Sequence, residues 1–513
     1  MTMNSSGPIS LAGTTTGQSI EIELGGSGTT QISLNDTNVR TLAGVASGAI
    51  TMPTNFYGKS NTTYFMGIVS TADYYTHSLN FYGLQVDSSG NFYILTTNPN
   101  SSSVTQTSFA KFSIAGTYIS QIGIGSYSSG SIGSAYFDGT YFYIVVLSIS
   151  SSFFNIIKMD TSGTVSLSRG IQINQNPYHS FSITYPQYQP IVTLPNGKIV
   201  FTATGYYQLG PYYNCCYPCG YYTANYENLV SVVNSTVTCS AQFTVSAGCC
   251  HVIQATVFTF DSSSNIYVAG FSGTGCYGLF VAEISSGGGL PWHRYFTSAG
   301  QYPTCIRYQT GYNSVIVCAG PYIYNVSTSN GAINWSLQLP TSGNAWSANT
   351  LDFDSSGNIY VAGQYNGGNN NQYFIIFKVS PTGTVQWQNA LQIQPPGTGY
   401  YGGTVQIPTV KVYGTNLILA CRTVNNTAGY NPVVFYAVLP TDGSHNTAGS
   451  KTVSVNGYTY TFNYASSSYS FSSAPTTQTT NGIFGANYCT PTFSTITAPS
   501  YASRSLVNGI TSI

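Results

Sequence analysis

The chain has 513 residues, 42% of them hydrophobic and only 5% charged, with 13 basic and 13 acidic side chains. That length exceeds one small domain, and an aromatic content of 14% excludes a disordered chain, which needs few aromatics and high net charge. Zero net charge with no basic stripe excludes binding to a phosphate backbone, so nucleic acid is not an expected partner. Soluble proteins usually carry about 25% charged residues. Abundant Gly (54) and Tyr (44) with so little charge predict an all-β protein with polar, uncharged surfaces. No apolar run approaches the roughly 18 residues of a membrane span. Met1 to Ser10 lacks the charged-then-apolar pattern of an export signal.

In chain order, Ser19-Ile-Glu-Ile-Glu-Leu24 alternates with period two and predicts a strand, broken by Gly25, Gly26 and Gly28. Gln31 to Leu34 is its expected partner, which makes the N-terminal module β-rich. Asn35 or Asp36 then caps a short helix that stops at Gly44. Four blocks recur in this order elsewhere: Ser-Gly-Pro-Ile-Ser-Leu at 6–11, Thr-Gly-Gln-Ser-Ile at 16–20, Val-Arg-Thr-Leu-Ala-Gly at 39–44 and Phe-Tyr-Gly-Lys-Ser at 56–60. Together they resemble an N-terminal module of tailed-bacteriophage structural proteins, among them tail fibres and other tail-associated proteins. The resemblance covers residues 1–60 and implies an attachment element that joins other tail proteins of a virion. An exterior-like composition without an export signal fits release by lysis, so the expected location is the virion, assembled in the host cytoplasm and exposed outside the cell.

From about residue 80 the chain repeats. Asp87-Ser-Ser-Gly-Asn-Phe-Tyr-Ile, Asp261-Ser-Ser-Ser-Asn-Ile-Tyr-Val-Ala-Gly and Asp354-Ser-Ser-Gly-Asn-Ile-Tyr-Val-Ala-Gly are copies of one hairpin. Asp starts the turn because its carboxylate accepts from backbone N–H groups further on. Phe109-Ala-Lys111-Phe, Ile156-Ile-Lys158-Met and Ile376-Phe-Lys378-Val form a third strand, with Glu283 in the register of the lysines. Trp335 and Trp387 mark a fourth strand. Degenerate turns at Asp138-Gly139, Pro195-Asn196-Gly197, Thr310 to Asn313 and Tyr413 to Asn416 complete about seven four-stranded units. This is the expectation for a β-propeller over 61–450, with an open solenoid as the alternative. The repeat resembles bacterial propeller repeats of the same Asp, Gly-Asn, Tyr-Val-Ala-Gly kind. Residues 451–513 read as a hairpin at Thr452 to Phe462 followed by a Ser/Thr-rich tail or interface arm.

Residues 205–250 read as an insertion in the third unit. Its tyrosines Tyr206, Tyr207, Tyr212, Tyr213, Tyr217, Tyr221 and Tyr222 are candidates for glycan or partner binding, because tyrosine stacks on sugar rings. Cys215, Cys216, Cys219, Cys239, Cys249 and Cys250 cluster there. Three readings stay open for them: a disulfide cluster, buried thiols, or a metal set of Cys216, Cys219, Cys239 and His251. The disulfide reading stands first, so no metal and no cofactor is expected.

Catalytic patterns are absent from the sequence. The five histidines form no spaced cluster, there is no Gly-x-Ser-x-Gly elbow, and Gly58-Lys59-Ser60 lacks the glycine that a phosphate loop needs at position 53. Asp87, Asp261 and Asp354 occupy repeated turns and Asp138 a degenerate one, which assigns them to structure. The expected function is therefore non-enzymatic: a structural virion component that contacts tail proteins and copies of itself. A propeller that recognises a host surface glycan or protein is the second reading, and a polysaccharide-degrading propeller the third.

Overall fold

The computed structural model describes residues 3–4, 6–15, 17–24, 27–29, 31–43, 45, 47–56, 65–71, 80–99, 104–128, 130–148, 153–172, 179–182, 191–195, 197, 199–208, 224–233, 239–245, 253–272, 278–287, 289–296, 301–340, 346–366, 372–394, 404–424, 433–443, 449–455, 458–466, 472, 478–479, 492–495 and 506–512. Two compact units result, Met1–Phe65 with Ser512–Ile513, and Met66–Thr511.

The first unit is not β-rich. Its described elements are a four-residue helix Ile20–Glu23, the helix Thr37–Ala43 expected after Asp36, and a 3-10 turn Thr54–Phe56. The expected strand at 19–24 is a helical turn because Ser19 caps it: its Oγ accepts from the Ile22 N–H at 3.3 Å. Glu21 and Glu23 lie in that first turn, where the positive end of the helix dipole favours them. The burial found, at Ile20, Glu21 and Glu23, is not the alternation of a strand; Ile20 and Glu23, three apart, share a face of the helical turn. Gln31 to Leu34 forms no strand, and Ser10 with Ser19 is the one β-bridge among the unit's described residues. Met3, Ile20, Val39, Leu42 and Phe56 are its core.

The second unit is all-β, a succession of seven antiparallel sheets among the described residues. Six follow one another as four-strand meanders over 80–128, 130–172, 179–245, 253–296, 303–338 and 346–394. The seventh takes three strands from 404–440, and its fourth is Phe65–Thr71 from the start of the unit. In the third sheet the first strand is split into His179–Ser182 and Ile191–Thr193, both paired to Ile199–Gln208. First strands pack on first strands: Asn80–Val86 on Gly130–Phe137, and that on Ile191–Thr193. Likewise Ile253–Phe260 packs on Pro303–Gln309, that on Trp346–Phe353, that on Thr404–Tyr413, and Thr404–Tyr413 back on Asn80–Val86. Ile199–Gln208 and Ala224–Val233 join the third sheet to the fourth. This is β-propeller architecture.

Residues 205–250 are not an insertion. Ile199–Gln208, Ala224–Val233 and Cys239–Val245 are the second, third and fourth strands of the third sheet. Dense Tyr and Cys hid the strand pattern of segments such as Leu229 to Val233.

Each repeated turn is held by its aspartate. Asp87 Oδ1 accepts from the N–H groups of Ser89 and Asn91, and its Oδ2 from Asn91 Nδ2 and the Tyr93 hydroxyl, all at 2.9–3.0 Å. Asp261 and Asp354 repeat this set on Ser263, Asn265 and Tyr267, and on Ser356, Asn358 and Tyr360. Burial pushes the Asp87 carboxyl up, but these hydrogen bonds outweigh it and leave its pKa lowered. Lys111 and Lys378 sit 3.7 and 3.8 Å from Asp87 and Asp354 and lie over the rings of Tyr93 and Tyr360.

Three tryptophans on fourth strands latch each sheet to the next. The indole N–H of Trp292 donates to the Thr328 carbonyl at 2.7 Å, that of Trp335 to Pro381 at 2.9 Å and that of Trp387 to Thr441 at 3.2 Å. Each ring lies on a glycine of the facing turn, Gly331, Gly383 and Gly443, where a Cβ would come within 2.5–2.8 Å of it. Between the seventh and first sheets Tyr413 plays this part: its hydroxyl donates to the Ser88 carbonyl at 3.1 Å and its ring covers Gly90, which has φ of +82°.

The C-terminal segment is not a free arm. The hairpin Gly449–Val455 with Tyr458–Ser466 extends the sixth sheet through Val385–Gln394. Ser472 bridges Gln338 of the fifth sheet. Gln478–Thr479 pairs Trp292–Phe296 of the fourth, Thr492–Thr495 pairs Val165–Gln172 of the second, and Leu506–Ser512 neighbours Phe65–Thr71 on the seventh. The chain thus runs back along the outer edges it has already built. Unpaired outer edges recruit other strands. Removal of residues 449–513 is therefore expected to convert monodisperse protein into larger species on size-exclusion chromatography. A truncated chain that stays monodisperse at the same concentration contradicts this role.

Candidate functional site

The first strands carry a bulge near their starts in six sheets, at Phe81/Gly83, Ile132/Ser134, Ala255/Val257, Pro303/Cys305, Ala348/Thr350 and Gln406/Thr409. Bulges sharpen the local twist and redirect side chains. At this end of the sheets aromatic residues gather. Trp346 stacks on Tyr365 at 4.1 Å between centroids, and Tyr365 on Tyr373 at 5.7 Å. Their positions explain the ladder: Trp346 starts the first strand, pairs Tyr365 near the end of the second, and Tyr373 near the start of the third pairs Tyr365 in turn. Phe271 meets Tyr302 at 4.3 Å, and Tyr302 is 42% exposed. Ile407, in the bulge of the seventh sheet, has φ of +55°, a strained conformation for a β-branched residue. Beside it Gln406 Oε1 accepts from Arg422 Nη1 at 2.8 Å, while the Arg422 Nε is buried without a hydrogen-bond partner. Burial lowers the Arg422 pKa, and Tyr82 of the first sheet opposes that shift.

Of the sequence-nominated tyrosines, Tyr206 and Tyr207 lie on the second strand of the third sheet, opposite Tyr226 and Asn225. Tyr212, Tyr213, Tyr217, Tyr221 and Tyr222 lie outside the described residues, in the connection from Gln208 to Ala224. That connection leaves the sheet at the bulged end. Cys215, Cys216, Cys219, Cys249, Cys250 and His251 are also outside the described residues. Cys239 starts the fourth strand and pairs Val233. Ala224 and Val233 are opposite ends of one strand, about 30 Å apart at about 3.3 Å per residue. Cys239 thus lies at the sheet end opposite to Gln208 and Ala224, the strand ends that flank Cys215, Cys216 and Cys219 in sequence. Cys305, Cys318 and Cys421 are buried free thiols, each pushed up by burial. Cys276 and Cys489 lie outside the described residues. Among the described residues no three His, Cys, Asp or Glu side chains are placed to share a metal ion, and no helix is long and apolar enough to cross a membrane.

A second group of polar residues sits on the first strands themselves, near the turns. Arg307, Asp352 and Lys411 belong to the first strands of the fifth, sixth and seventh sheets. Asp352 Oδ2 accepts from the Val412 N–H at 2.9 Å. Arg307 Nε is buried without a hydrogen-bond partner. Burial pushes the Lys411 ammonium down to about 8, the Arg307 guanidinium adds to the shift and Asp352 opposes it. Arg307 also acts on Tyr136 of the second sheet, whose hydroxyl is pushed up mainly by burial. No motif marks this group in the sequence. Its one signal is a pair of cations at the level where other first strands carry Gln85, Tyr136, Thr259 and Asp352, and that alignment needs the strand register.

The fourth sheet departs from its siblings. Glu283 stands where Lys111 and Lys378 stand, opposite Tyr267 and paired to Trp292, as Lys378 is paired to Trp387. Burial raises the Glu283 pKa, a hydrogen bond from Trp292 opposes the rise, and the charge of Asp261 adds to it. Both carboxylates are largely buried, and Asp261 is engaged by the turn. Glu283→Lys is expected to restore the Lys–Asp–Tyr arrangement and to stabilise the protein by about 1 kcal/mol at neutral pH. A raised folded-state pKa means that the Glu283 carboxylate costs stability once pH exceeds its unfolded value. The gain from the substitution is therefore largest at neutral pH and shrinks in acid, which thermal melts between pH 4 and pH 8 measure.

No protein-family profile and no curated protein matches this sequence. Solved structures similar to it include a polysaccharide lyase, Uly1, at 8% identity and a TM-score of 0.37, with 70% of this chain and 90% of that one covered. A puromycin hydrolase is similar at 10% identity and a TM-score of 0.41, with 73% of this chain aligned to 57% of the hydrolase. The WD40 domain of SCAP from fission yeast is similar at 7% identity and a TM-score of 0.35, with 82% and 97% covered. At such scores these likenesses carry no weight for function, and the architecture stated above rests on this chain's own strand pairings.

Proposed function

We propose that the chain is a non-enzymatic structural component of a tailed-phage virion, attached through residues 1–60 and presenting a closed seven-bladed propeller. The observation that carries this reading is the coincidence of the four phage-like sequence blocks with a unit, Met1–Phe65, that has its own core. The seven-blade ring is supported by the first strand of the seventh sheet packing on that of the first, and by Phe65–Thr71 completing the seventh sheet. Its partners in this reading are other tail proteins and copies of itself. Deleting residues 1–60 is expected to leave a folded propeller that is missing from purified particles. Normal copy number of the truncated chain, measured by quantitative mass spectrometry of virions, contradicts the reading.

The aromatic ladder favours a second role for the same component, recognition of a saccharide on the host surface at the bulged end. Tyr365 and Tyr373, half-buried against the buried Trp346, offer adjoining aromatic surfaces, and Gln392 pairs Tyr373 beside them. Sugar C–H faces stack on such rings, while amides meet hydroxyls. Tyr365→Ala is expected to weaken binding on an array of host surface glycans by about tenfold, in line with about 1–1.5 kcal/mol for an aromatic contact. Unchanged array signals for this variant, or no glycan bound by the intact protein, remove the saccharide role and leave the attachment role standing.

A further inference from the structure

The strand register gives the first strands of six sheets an equivalent position, the second residue after the first pair beyond the bulge. In the first, second, fourth and sixth sheets that position is Gln85, Tyr136, Thr259 and Asp352, paired to Tyr93, Tyr143, Tyr267 and Tyr360. All four carry a polar group, whereas the residue before each, Leu84, Ala135, Phe258 and Leu351, is a buried hydrophobic. In the fifth and seventh sheets it is Arg307 and Lys411, paired to Ile316 and Ile418. These six first strands thus set one level of polar side chains, and two of the chain's 13 cationic residues stand in it.

Their surroundings do not neutralise them. The first strand of the sixth sheet lies between them, and its Asp352 is the carboxylate that acts on Lys411. Asp352 already accepts the Val412 N–H. Neither cation forms an ion pair within 4.0 Å among the described residues, whereas Lys111 and Lys378 each meet an aspartate. Arg307 in addition holds a buried N–H with no acceptor, an arrangement that costs about 1–3 kcal/mol when left unmet. Two cations, one partly engaged carboxylate and an orphaned guanidinium donor form a place with a net positive charge and an unmet demand for an acceptor.

We propose that Arg307 and Lys411 form a binding site for an oxyanion, and that its natural occupant is the carboxylate of an acidic sugar. The guanidinium offers two parallel donors that match an oxyanion, and the ammonium adds a point charge from the neighbouring side. Tyr136 stands at the same register level on the second sheet, where the Arg307 charge acts on its hydroxyl. The choice of a sugar carboxylate rests on the saccharide reading above, since the aromatic ladder lies on the sixth sheet, between the two sheets that carry the cations; the oxyanion site itself does not.

The test is isothermal titration calorimetry at low ionic strength with sodium glucuronate, sodium phosphate and glucose, on the intact chain and on Arg307→Met, Lys411→Met and Lys378→Met. Glucuronate is expected to bind the intact chain and Lys378→Met alike, with affinity lowered at least about tenfold in Arg307→Met and in Lys411→Met; glucose is expected not to bind there. Thermal melts guard against misfolding: a lysine whose folded-state pKa is depressed costs stability in full below that pKa and ceases to do so as pH rises to its unfolded value. Lys411→Met is therefore expected to be more stable than the intact chain at pH 7, with the difference fading toward pH 10. A variant that is stabilised yet no longer binds is the signature of a ligand site. Phosphate binding that depends on both cations, without glucuronate binding, upholds the oxyanion site and overturns its assignment to an acidic sugar. No binding of either anion, or binding unchanged in both cation variants, overturns the site, whatever neutral glycans do at the aromatic ladder.

Discussion

A four-strand meander leaves two edges whose backbone N–H and C=O groups have no ladder partner, and burial of such groups is costly. In this protein the first-strand edges are met by side chains reaching from the adjacent sheet. Thr259 Oγ1 accepts from the Tyr308 N–H at 3.2 Å, and Thr304 Oγ1 donates to the Ala348 carbonyl at 2.6 Å. Thr350 Oγ1 donates to the Pro408 carbonyl and accepts from Val410, and Asp352 accepts from Val412. Gln85 Nε2 donates to the Ala135 carbonyl at 3.4 Å. These bonds run in one direction around the sheets, and each ties a sheet to its successor at the level where the apolar contacts between sheets begin. The geometry of the fold depends on them, because without them neighbouring first strands would bury unmet polar edges against each other.

The outer edges are treated differently. Tryptophan latches fix the fourth strands of the fourth, fifth and sixth sheets to the next turn, and the C-terminal segment then covers outer strands by backbone pairing. A chain with 5% charged residues has little charge to place on exposed strands as a guard against edge pairing. Covering its edges with its own backbone is the remaining solution. The same scarcity makes each cation informative: Lys111 and Lys378 are bound to turn aspartates, whereas Arg307 and Lys411 lack such a partner among the described residues.

Much of this was legible in the sequence, and the limits were physical. Asp-Ser-Ser-Gly-Asn turns announce themselves because the hydrogen bonds that need those residues are local, spanning two to six positions. The degenerate turns at Asp138, Gly197, Gly311 and Gly414 fall between the first and second strands, as their spacing required. The Glu283 substitution was visible as a break in a lysine register. Non-local features were not visible. Nothing in Gln478-Thr479 or Thr492 to Thr495 specifies that they pair strands some 180 and 320 residues earlier, since a two- or four-residue edge strand has no period to read. In the third sheet, long Tyr- and Cys-rich connections obscured three ordinary strands. At Ile20 to Glu23 a serine cap outweighed alternation. Arg307 and Lys411 looked like scattered charges until the pairing placed them level with Gln85, Tyr136, Thr259 and Asp352.

Closure of the succession of sheets is the claim on which the attachment, saccharide and oxyanion readings all stand, and the strand Phe65–Thr71 is its closing piece. Native-state hydrogen exchange measured amide by amide tests it most directly. If the strand seals the seventh sheet, the amides of Met66 to Val69 exchange as slowly as those of Leu417 to Cys421 and Val434 to Val438, and all three sets are released in one cooperative opening. Amides at 66–69 that exchange at the rate of an unstructured peptide, while the other two sets stay protected, would contradict a closed propeller.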